Sequence, residues 1–200
     1  MTSPCRSLKG IAAAPGLAAG PAAVWREERL SIPRRTGSDP LTENHRLDQA
    51  RKAVGEEIAE LRRKVANEAG EAEAAIFDAH GMFLTDTALL RKACAGLEGG
   101  LNAEAAWMDA IEHFAGQLAS LPDPTLSARA ADVRDVGQRV LRTLLGRSAL
   151  PGLALKKPSV IVARDLAPSQ TVSLEKRLVL AFCTAEGGPT SHTAILSRAL

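Results

Sequence analysis

Apolar residues recur every three or four positions through the middle of the chain. This interval places them on one face of an α-helix, while the intervening positions carry Glu, Arg and Lys. The first stripe consists of Leu47, Ala50, Val54, Ile58, Leu61 and Val65. Later stripes consist of Ile76, Phe77, His80, Phe83 and Leu84, of Trp107, Ile111, Phe114 and Leu118, and of Val133, Val136, Val140 and Leu144. Each stripe predicts a helix that packs against others.

Helix-breaking residues separate these stripes. Gly70, residues 96–100 and residues 122–124 each interrupt the pattern, and Asn102 is a candidate N-cap for the helix that follows it. Short connections between successive helices are typical of antiparallel bundles. The sequence therefore predicts an antiparallel helical bundle that ends near residues 150–152.

The segments on either side of the predicted bundle have the pattern of an α/β domain. Residues 160–163 and 178–182 are short apolar runs, typical of strands buried on both faces, and residues 169–176 can form a helix between them. Residues 8–24 predict two short strands separated by a Pro-Gly turn, and residues 25–40 have the composition of a linker. The predicted fold is an α/β domain, split by the inserted bundle, whose N-terminal residues return to the sheet.

Residues 187–198 carry the candidate chemistry, with the sequence Gly-Gly-Pro-Thr-Ser-His-Thr-Ala-Ile-Leu-Ser-Arg. The glycines and proline end the preceding strand, and Thr190 or Ser191 can cap a helix that starts at or just before His192. Free backbone N–H groups and the helix dipole favour an anion there, so a phosphoryl group on the imidazole would suit the place. Taken alone, these residues also fit a surface or capping histidine, which is the more common case.

Composition and charge narrow the function classes. The 200-residue chain has 25 Lys and Arg against 23 Asp and Glu, a formal charge of +2, which gives no indication of nucleic-acid or membrane-surface binding. Three widely spaced cysteines, Cys5, Cys94 and Cys183, favour reduced thiols and form no zinc pattern. With no secretory pattern and no apolar run long enough for a membrane span, we expect a soluble cytoplasmic protein without membrane insertion.

The histidine stretch resembles the phosphohistidine signature of the phosphoenolpyruvate-utilising enzymes. Residues 10–16, 75–80, 129–137 and 165–171 also resemble enzyme I of the phosphoenolpyruvate:sugar phosphotransferase system, or the enzyme I-like module of a multiphosphoryl transfer protein. The matches are colinear and span nearly the whole chain. Pyruvate phosphate dikinase shares the histidine motif, but the resemblance of the two segments in the predicted bundle, 75–80 and 129–137, favours enzyme I.

The resemblance implies a role for each residue of the histidine turn. In the family the active histidine accepts a phosphoryl group from phosphoenolpyruvate and passes it to a histidine of the phosphocarrier protein HPr, and His192 matches it as the phosphohistidine intermediate. Thr171 matches a threonine that hydrogen-bonds the active histidine. The phosphate-accepting turn would be shaped by Gly187, Gly188, Thr190 and Ser191. Arg198, about two turns along the helix, is expected to be a structural cation rather than a phosphate clamp.

The resemblance also divides the chain into regions. Residues 1–35 would supply the N-terminal strands and linker of a phosphohistidine (swivelling) α/β domain, and residues 148–200 its remainder, incomplete at the C-terminus. Residues 36–147 would form the helical HPr-binding domain. The surface that binds the basic HPr would include Glu71, Asp78, His80, Met82, Phe83, Leu84, Asp86 and Arg129. An ordinary bundle, with its apolar residues in the core and its charges solvated, fits the same residues.

Other family properties are expected outside this chain. In enzyme I a C-terminal barrel binds phosphoenolpyruvate and Mg²⁺ and forms the homodimer, so the resemblance predicts no metal site in these 200 residues. Two alternatives stay open at this point. One is the phosphohistidine domain of a pyruvate phosphate dikinase-like enzyme. The other is a non-catalytic module that binds HPr or a regulatory partner, in which His192 only caps a helix.

Overall fold

Five α-helices form the middle of the chain in the computed structural model, which describes residues 7–26, 28, 30–148, 153, 155–188 and 191–199. These helices are α1 (Pro40–Glu68), α2 (Glu71–Thr85), α3 (Thr87–Glu98), α4 (Ala103–Ala119) and α5 (Pro124–Leu144). Three of them begin after an aspartate whose carboxylate accepts hydrogen bonds from the first-turn N–H groups, namely Asp39, Asp86 and Asp123. The predicted break at Gly70 is confirmed, and those predicted at 96–100 and 122–124 are found slightly displaced, at 99–102 and 120–123.

Helix α3 was missed by the sequence pattern. The break before it contains neither glycine nor proline and consists of Asp86 alone. Its carboxylate accepts hydrogen bonds from the N–H groups of Ala88 at 2.9 Å and Leu89 at 2.8 Å, which starts a new helix directly after the old one ends. The bundle therefore has one more helix than the glycine and proline breaks indicate.

The predicted cap Asn102 has a different role. Its side chain makes no N-cap hydrogen bond, although it precedes α4. The amide nitrogen donates to the carbonyl of Pro33 at 2.9 Å, and the amide oxygen accepts from the N–H of Arg35 at 3.3 Å. Asn102 thus fastens the linker before α1 to the bundle, a long-range role that local sequence does not reveal.

The apolar stripes meet in one core. Leu47, Val54 and Val65 of α1 and Phe77 of α2 are buried together with the α4 and α5 stripes. Helices α4 and α5 approach closely where Trp107 donates its indole N–H to the carbonyl of Gly137, at 3.1 Å. A Cβ at position 137 would lie only 2.6 Å from Cγ2 of Ile111, so this approach requires glycine.

Gly137→Ala is expected to lower the free energy of unfolding by about 1–3 kcal/mol, because the added methyl would push Ile111 and the α4–α5 contact apart. Gly116→Ala is the matched control, since a Cβ there meets nothing within 4 Å and alanine favours the helix. Urea unfolding followed by circular dichroism compares the two. Equal stabilities would contradict the tight approach of α4 and α5.

A small parallel sheet lies beside the bundle. Its strands are β1 (Ala22–Val24), β2 (Ser159–Ala163) and β3 (Val179–Thr184), in the order β1-β2-β3. Ala23 pairs with Ile161, and Ile161 pairs with Phe182. Between β2 and β3 lie α6 (Pro168–Ser173) and the short 3₁₀ helix Lys176–Leu178, and α7 (His192–Ala199) follows β3. Residues near the N-terminus therefore do pair with strands from the far end of the chain.

The N-terminal prediction is only half correct. Of the two strands expected in residues 8–24, only β1 forms, and residues 7–20 are irregular. Leu8, Ile11 and Leu17 are almost fully exposed. Among the described residues this segment has no adjacent strand to supply backbone hydrogen bonds, and a strand needs such a partner. The predicted end of the bundle at 150–152 lies outside the described residues.

Candidate functional site

Helix α7 begins at His192, as the sequence predicts. The hydroxyl of Ser191 accepts a hydrogen bond from the N–H of Ala194 at 3.3 Å, and the carbonyl of Ser191 accepts one from Ile195 at 3.0 Å. Ser191 is therefore the N-cap, one of the two residues expected to serve as such. The side chain of His192 and the whole of Thr190 lie outside what the structure describes.

Of the two glycines before this helix, Gly187 has a backbone conformation that favours glycine, whereas Gly188 does not. Gly187 has φ +86°, a conformation that strongly favours glycine, and a Cβ there would lie 3.3 Å from the side chain of Ser191. Gly188 has open space beside it as far as the described residues go, because a Cβ there would meet none of their atoms within 4 Å. Gly187 thus fixes the turn, whereas Gly188 leaves room beside the backbone at the start of α7.

Both ends of α7 are tied to other parts of the chain. The buried hydroxyl of Thr193 donates to the carbonyl of Leu166 at 2.7 Å, which attaches the first turn of α7 to the loop after β2. Arg198 in the last turn donates to the carbonyl of Ala13 at 2.7 Å. The contact of Arg198 agrees with a structural role for that residue. Thr193 was not singled out from the sequence, because its partner lies 27 residues away.

Thr171 lies in α6 and is buried. Its hydroxyl donates to the carbonyl of Ala167 at 3.2 Å, the residue that directly precedes α6. In this structure the hydroxyl is therefore occupied by its own backbone, a common arrangement for threonine in helices.

A buried polar group adjoins α6 that sequence reasoning did not identify as a unit. Ser169 is fully buried, and its hydroxyl donates to the carboxylate of Asp135 on α5, at 3.1 and 3.0 Å from the two oxygens. The ring of His80 on α2 lies against the same carboxylate, with Nδ1 3.9 Å from Oδ2 of Asp135. The sequence contains one signal of this group. Asp132 and Arg139 lie four residues before and three residues after Val136, so they share the apolar face of α5, where charged side chains are unexpected.

The residues predicted to bind a carrier fall into two groups. His80 and Leu84 are buried inside the bundle, at 0 % and 4 % exposure, so they do not contribute to its surface. The others form a surface that we call the α2 face. It consists of Glu71, Asp78, Met82, half-buried Phe83 and Asp86. The predicted set also contains Arg129 of α5, which pairs with Asp132. Met82 is 66 % exposed, although methionine is ordinarily buried.

Part of the negative charge of the α2 face is already paired within the protein. Arg62 of α1 lies 3.2 Å from the carboxylate of Asp78 and 2.7 Å from that of Glu71. The hydrogen bond that Arg62 donates to Asp78, together with the one it donates to Glu71, raises the pKa of Arg62. Asp86 is engaged in capping α3. The face therefore combines an exposed apolar side chain with carboxylates that are only partly available to a partner.

The described residues contain neither a metal-binding cluster nor a membrane-spanning helix. No group of three or more His, Cys, Asp or Glu side chains in the described part of the chain could hold a metal ion. Among the described helices, none combines the length and apolar character needed to cross a bilayer.

Comparison with known families and proteins gives consistent matches along the chain. Residues 9–129 match the family described as "PEP-utilising enzyme, N-terminal", and residues 155–200 match "PEP-utilising enzyme, mobile domain". The phosphoenolpyruvate-protein phosphotransferase of Streptococcus equinus is 39 % identical over 195 residues, covering 96 % of this chain and 34 % of that protein. The multiphosphoryl transfer protein of Xanthomonas campestris is 37 % identical over 199 residues, covering 97 % of this chain and 23 % of that protein.

Two solved structures share the fold. The solution structure of an Enzyme I protein (nEIt) superposes with a TM-score of 0.73 at 37 % identity, covering 96 % of this chain and 79 % of that one. The N-terminal domain of "Enzyme 1 - Nitrogen" superposes with a TM-score of 0.65 at 31 % identity, covering 94 % and 78 %. The chain spans about a third of the length of the phosphotransferases it matches.

Proposed function

This chain belongs to the PEP-utilising enzymes, and from that premise we propose that it is the N-terminal phosphotransfer region of a phosphoenolpyruvate-protein phosphotransferase, enzyme I, or of a multiphosphoryl transfer protein. His192 is its phosphohistidine. The observation that carries the proposal is the position of this histidine at the first residue of α7, within the segment that matches the family's mobile domain.

The proposed domain division is based on the sheet, whose strands come from both ends of the chain. Residues 1–35 and 148–200 form one phosphohistidine α/β domain, and residues 36–147 form the inserted HPr-binding domain. The parallel pairing of β1 with β2 supports this division, because it joins strands from before and after the helices in one sheet. The second family match supports the boundary after the bundle, since it begins at residue 155.

The start of α7 suits phosphoryl transfer through histidine. A neutral imidazole nitrogen is nucleophilic near pH 7 and can attack phosphorus in line with the leaving group. When HPr is the donor, one phosphorus–nitrogen bond breaks as another forms, so the step is reversible and needs chiefly positioning and charge stabilisation. Gly187, Gly188, Thr190 and Ser191 shape the turn that receives the anion. Thr171 would orient the ring as a hydrogen-bond acceptor, because its hydroxyl proton is donated to Ala167. The open space at Gly188 and the dipole of α7 support this assignment.

The α2 face is proposed as the docking surface for HPr. Met82 supplies exposed apolar area, and Glu71, Asp78 and Asp86 supply negative charge that would orient a basic carrier during encounter. His80 and Leu84 would support this face from inside the bundle rather than contact the carrier, because both are buried. Arg129 of α5, which pairs with Asp132 at 3.1 Å, is included in the proposed surface.

The remaining family properties are assigned to the longer enzyme. Phosphoenolpyruvate and Mg²⁺ would be bound by the two thirds of the relatives' length that this chain does not span, and that part would also form the homodimer. The protein is placed in the cytoplasm, where HPr acts and where its three cysteines fit as reduced thiols.

Incubation with radiolabelled phospho-HPr is expected to transfer label to this chain in a form that is labile in acid and stable in alkali. His192→Ala should take up no label, because the nucleophilic nitrogen is gone. His113→Ala is the matched control, since it removes an exposed histidine from α4, and it should be labelled like the wild type. Circular dichroism beforehand establishes that all three proteins are folded.

Two results would refute the proposal. Absence of label on folded wild-type protein would remove the phosphotransferase assignment and favour a binding module. Label retained in His192→Ala but lost in another histidine variant would place the phosphohistidine elsewhere in the chain.

A further inference from the structure

A buried polar cluster joins the helical bundle to α6. It consists of His80 on α2, Asp132, Asp135 and Arg139 on α5, and Ser169 on α6, and we call it the junction cluster. The His80 ring is fully buried and lies between two carboxylates, with Nε2 3.7 Å from Asp132 and Nδ1 3.9 Å from Asp135. Neither ring nitrogen makes a hydrogen bond within the described part of the chain.

The cluster is costly to bury. Burial raises the pKa of Asp135, against the opposing effects of the charges of His80 and Arg139 and of the Ser169 hydrogen bond. Arg139 is almost fully buried, and among the described residues its guanidinium donates one hydrogen bond, to Glu57 of α1 at 3.3 Å. Apolar side chains of similar size would pack this region with less loss of hydration. Charged and polar groups in such a place can instead define one arrangement of the elements that carry them.

The cluster is connected to the first turn of α7 by a short path. Ser169 reaches Asp135 from α6, and three residues before Ser169 the carbonyl of Leu166 accepts the Thr193 hydroxyl at 2.7 Å. Thr193 directly follows His192. Ser169 and Thr193 are both buried, so neither contact is exposed to competition from bulk water. Residues 166–169 are therefore held to the bundle through Ser169 and to α7 through the carbonyl of Leu166.

We propose that Ser169 and Asp135 are positioning residues for His192: the hydrogen bond between them, backed by the His80 ring, fixes α6 on the bundle and thereby fixes the first turn of α7. Neither residue touches the reacting atoms. The effect on phosphoryl transfer rests on the proposed function, whereas the effect on the geometry of α6 and α7 does not.

Ser169→Ala tests the proposal, with Ser173→Ala as the matched control. Both remove one hydroxyl from α6, but Ser173 is exposed and donates only to the carbonyl of Gln170 within the helix. By NMR, Ser169→Ala should shift the ring resonances of His192 and speed exchange of the Thr171 amide proton, and Ser173→Ala should do neither. In the phospho-HPr assay Ser169→Ala should lower the maximal rate about tenfold and leave the half-saturating carrier concentration unchanged, because docking occurs on the α2 face.

Asp135→Ala completes a double-mutant cycle, because alanine has no acceptor for the Ser169 hydroxyl. If the two residues act through one hydrogen bond, adding Ser169→Ala to Asp135→Ala should lower the rate far less than tenfold. Unchanged His192 resonances in Ser169→Ala, or fully additive effects in the cycle, would overturn the proposal. If folded wild-type protein accepts no phosphoryl group, the proposed function fails, and the NMR comparison alone then decides whether the junction cluster positions α7.

Discussion

Trp107→Ala is expected to lower the free energy of unfolding by about 4 kcal/mol. The side chain is fully buried between α4 and α5 and belongs to the core of the bundle. Its removal would leave a cavity at the contact between α4 and α5, where Gly137 admits Ile111 without space for a methyl group. It would also remove the hydrogen bond that the indole N–H donates to Gly137.

Urea unfolding followed by circular dichroism measures this loss. Trp25→Ala is the matched control. Trp25 is half-buried and packs against the apolar cluster beside β2, which is separate from the core of the bundle and consists of Ile161, Ala163, Leu166 and Leu174. The two tryptophans are the whole tryptophan content of the chain, so each variant also leaves a single fluorescent reporter of one region. Equal losses in both variants would contradict a core centred on α4 and α5.

Arg46→Met is expected to lower the free energy of unfolding at neutral pH by about 3 kcal/mol, the lower end of the cost of breaking a buried ion pair, because the guanidinium itself is partly exposed. Arg46 lies 2.6 Å from the carboxylate of Glu43 and 2.5 Å from that of Glu104. Both carboxylates are buried. Methionine keeps much of the side-chain volume but leaves two buried negative charges without their cation.

The pH dependence of this loss has a definite sign. Burial alone would raise the pKa of Glu104, but its hydrogen bond from Arg46 and those from its own N–H and Asn102 outweigh burial and lower it. The pKa of Glu43 is likewise lowered against burial, by the N–H groups of Ala103 and Ser38 and by Arg46. A carboxyl whose folded-state pKa is lowered stabilises the fold above the ordinary value of 4.5, and that stabilisation is lost as pH falls through the folded-state value.

The difference between wild type and Arg46→Met should therefore narrow as pH falls below 4.5, where the two carboxyl groups become protonated. Arg134→Met serves as the comparison, because its partner Glu112 is well exposed and such a pair contributes at most about 1 kcal/mol. Urea unfolding of the three proteins at neutral and acidic pH measures both effects. A loss in Arg46→Met that is independent of pH would show that the carboxylates are not its source.

Local sequence determined the elements that depend on neighbouring residues. Apolar residues at intervals of three and four placed α1, α4 and α5, because a helix repeats every 3.6 residues and needs one buried face. Continuous apolar runs placed β2 and β3, and the Gly-Gly-Pro-Thr-Ser sequence placed the start of α7 at His192. The resemblance of the same residues to a known family indicated the enzyme class, which the comparisons support.

Only the tertiary structure decided which residues meet across the fold. Asp86, Asn102 and Thr193 are polar residues whose sequence neighbours do not distinguish a cap from a long-range contact. The sequence cannot show which side of α2 faces α5 and therefore permits His80 on the partner surface, whereas the structure buries it beside Asp132 and Asp135. Strand pairing is equally non-local: β1 forms because β2 lies next to it, whereas residues 7–20 have no such neighbour among the described residues.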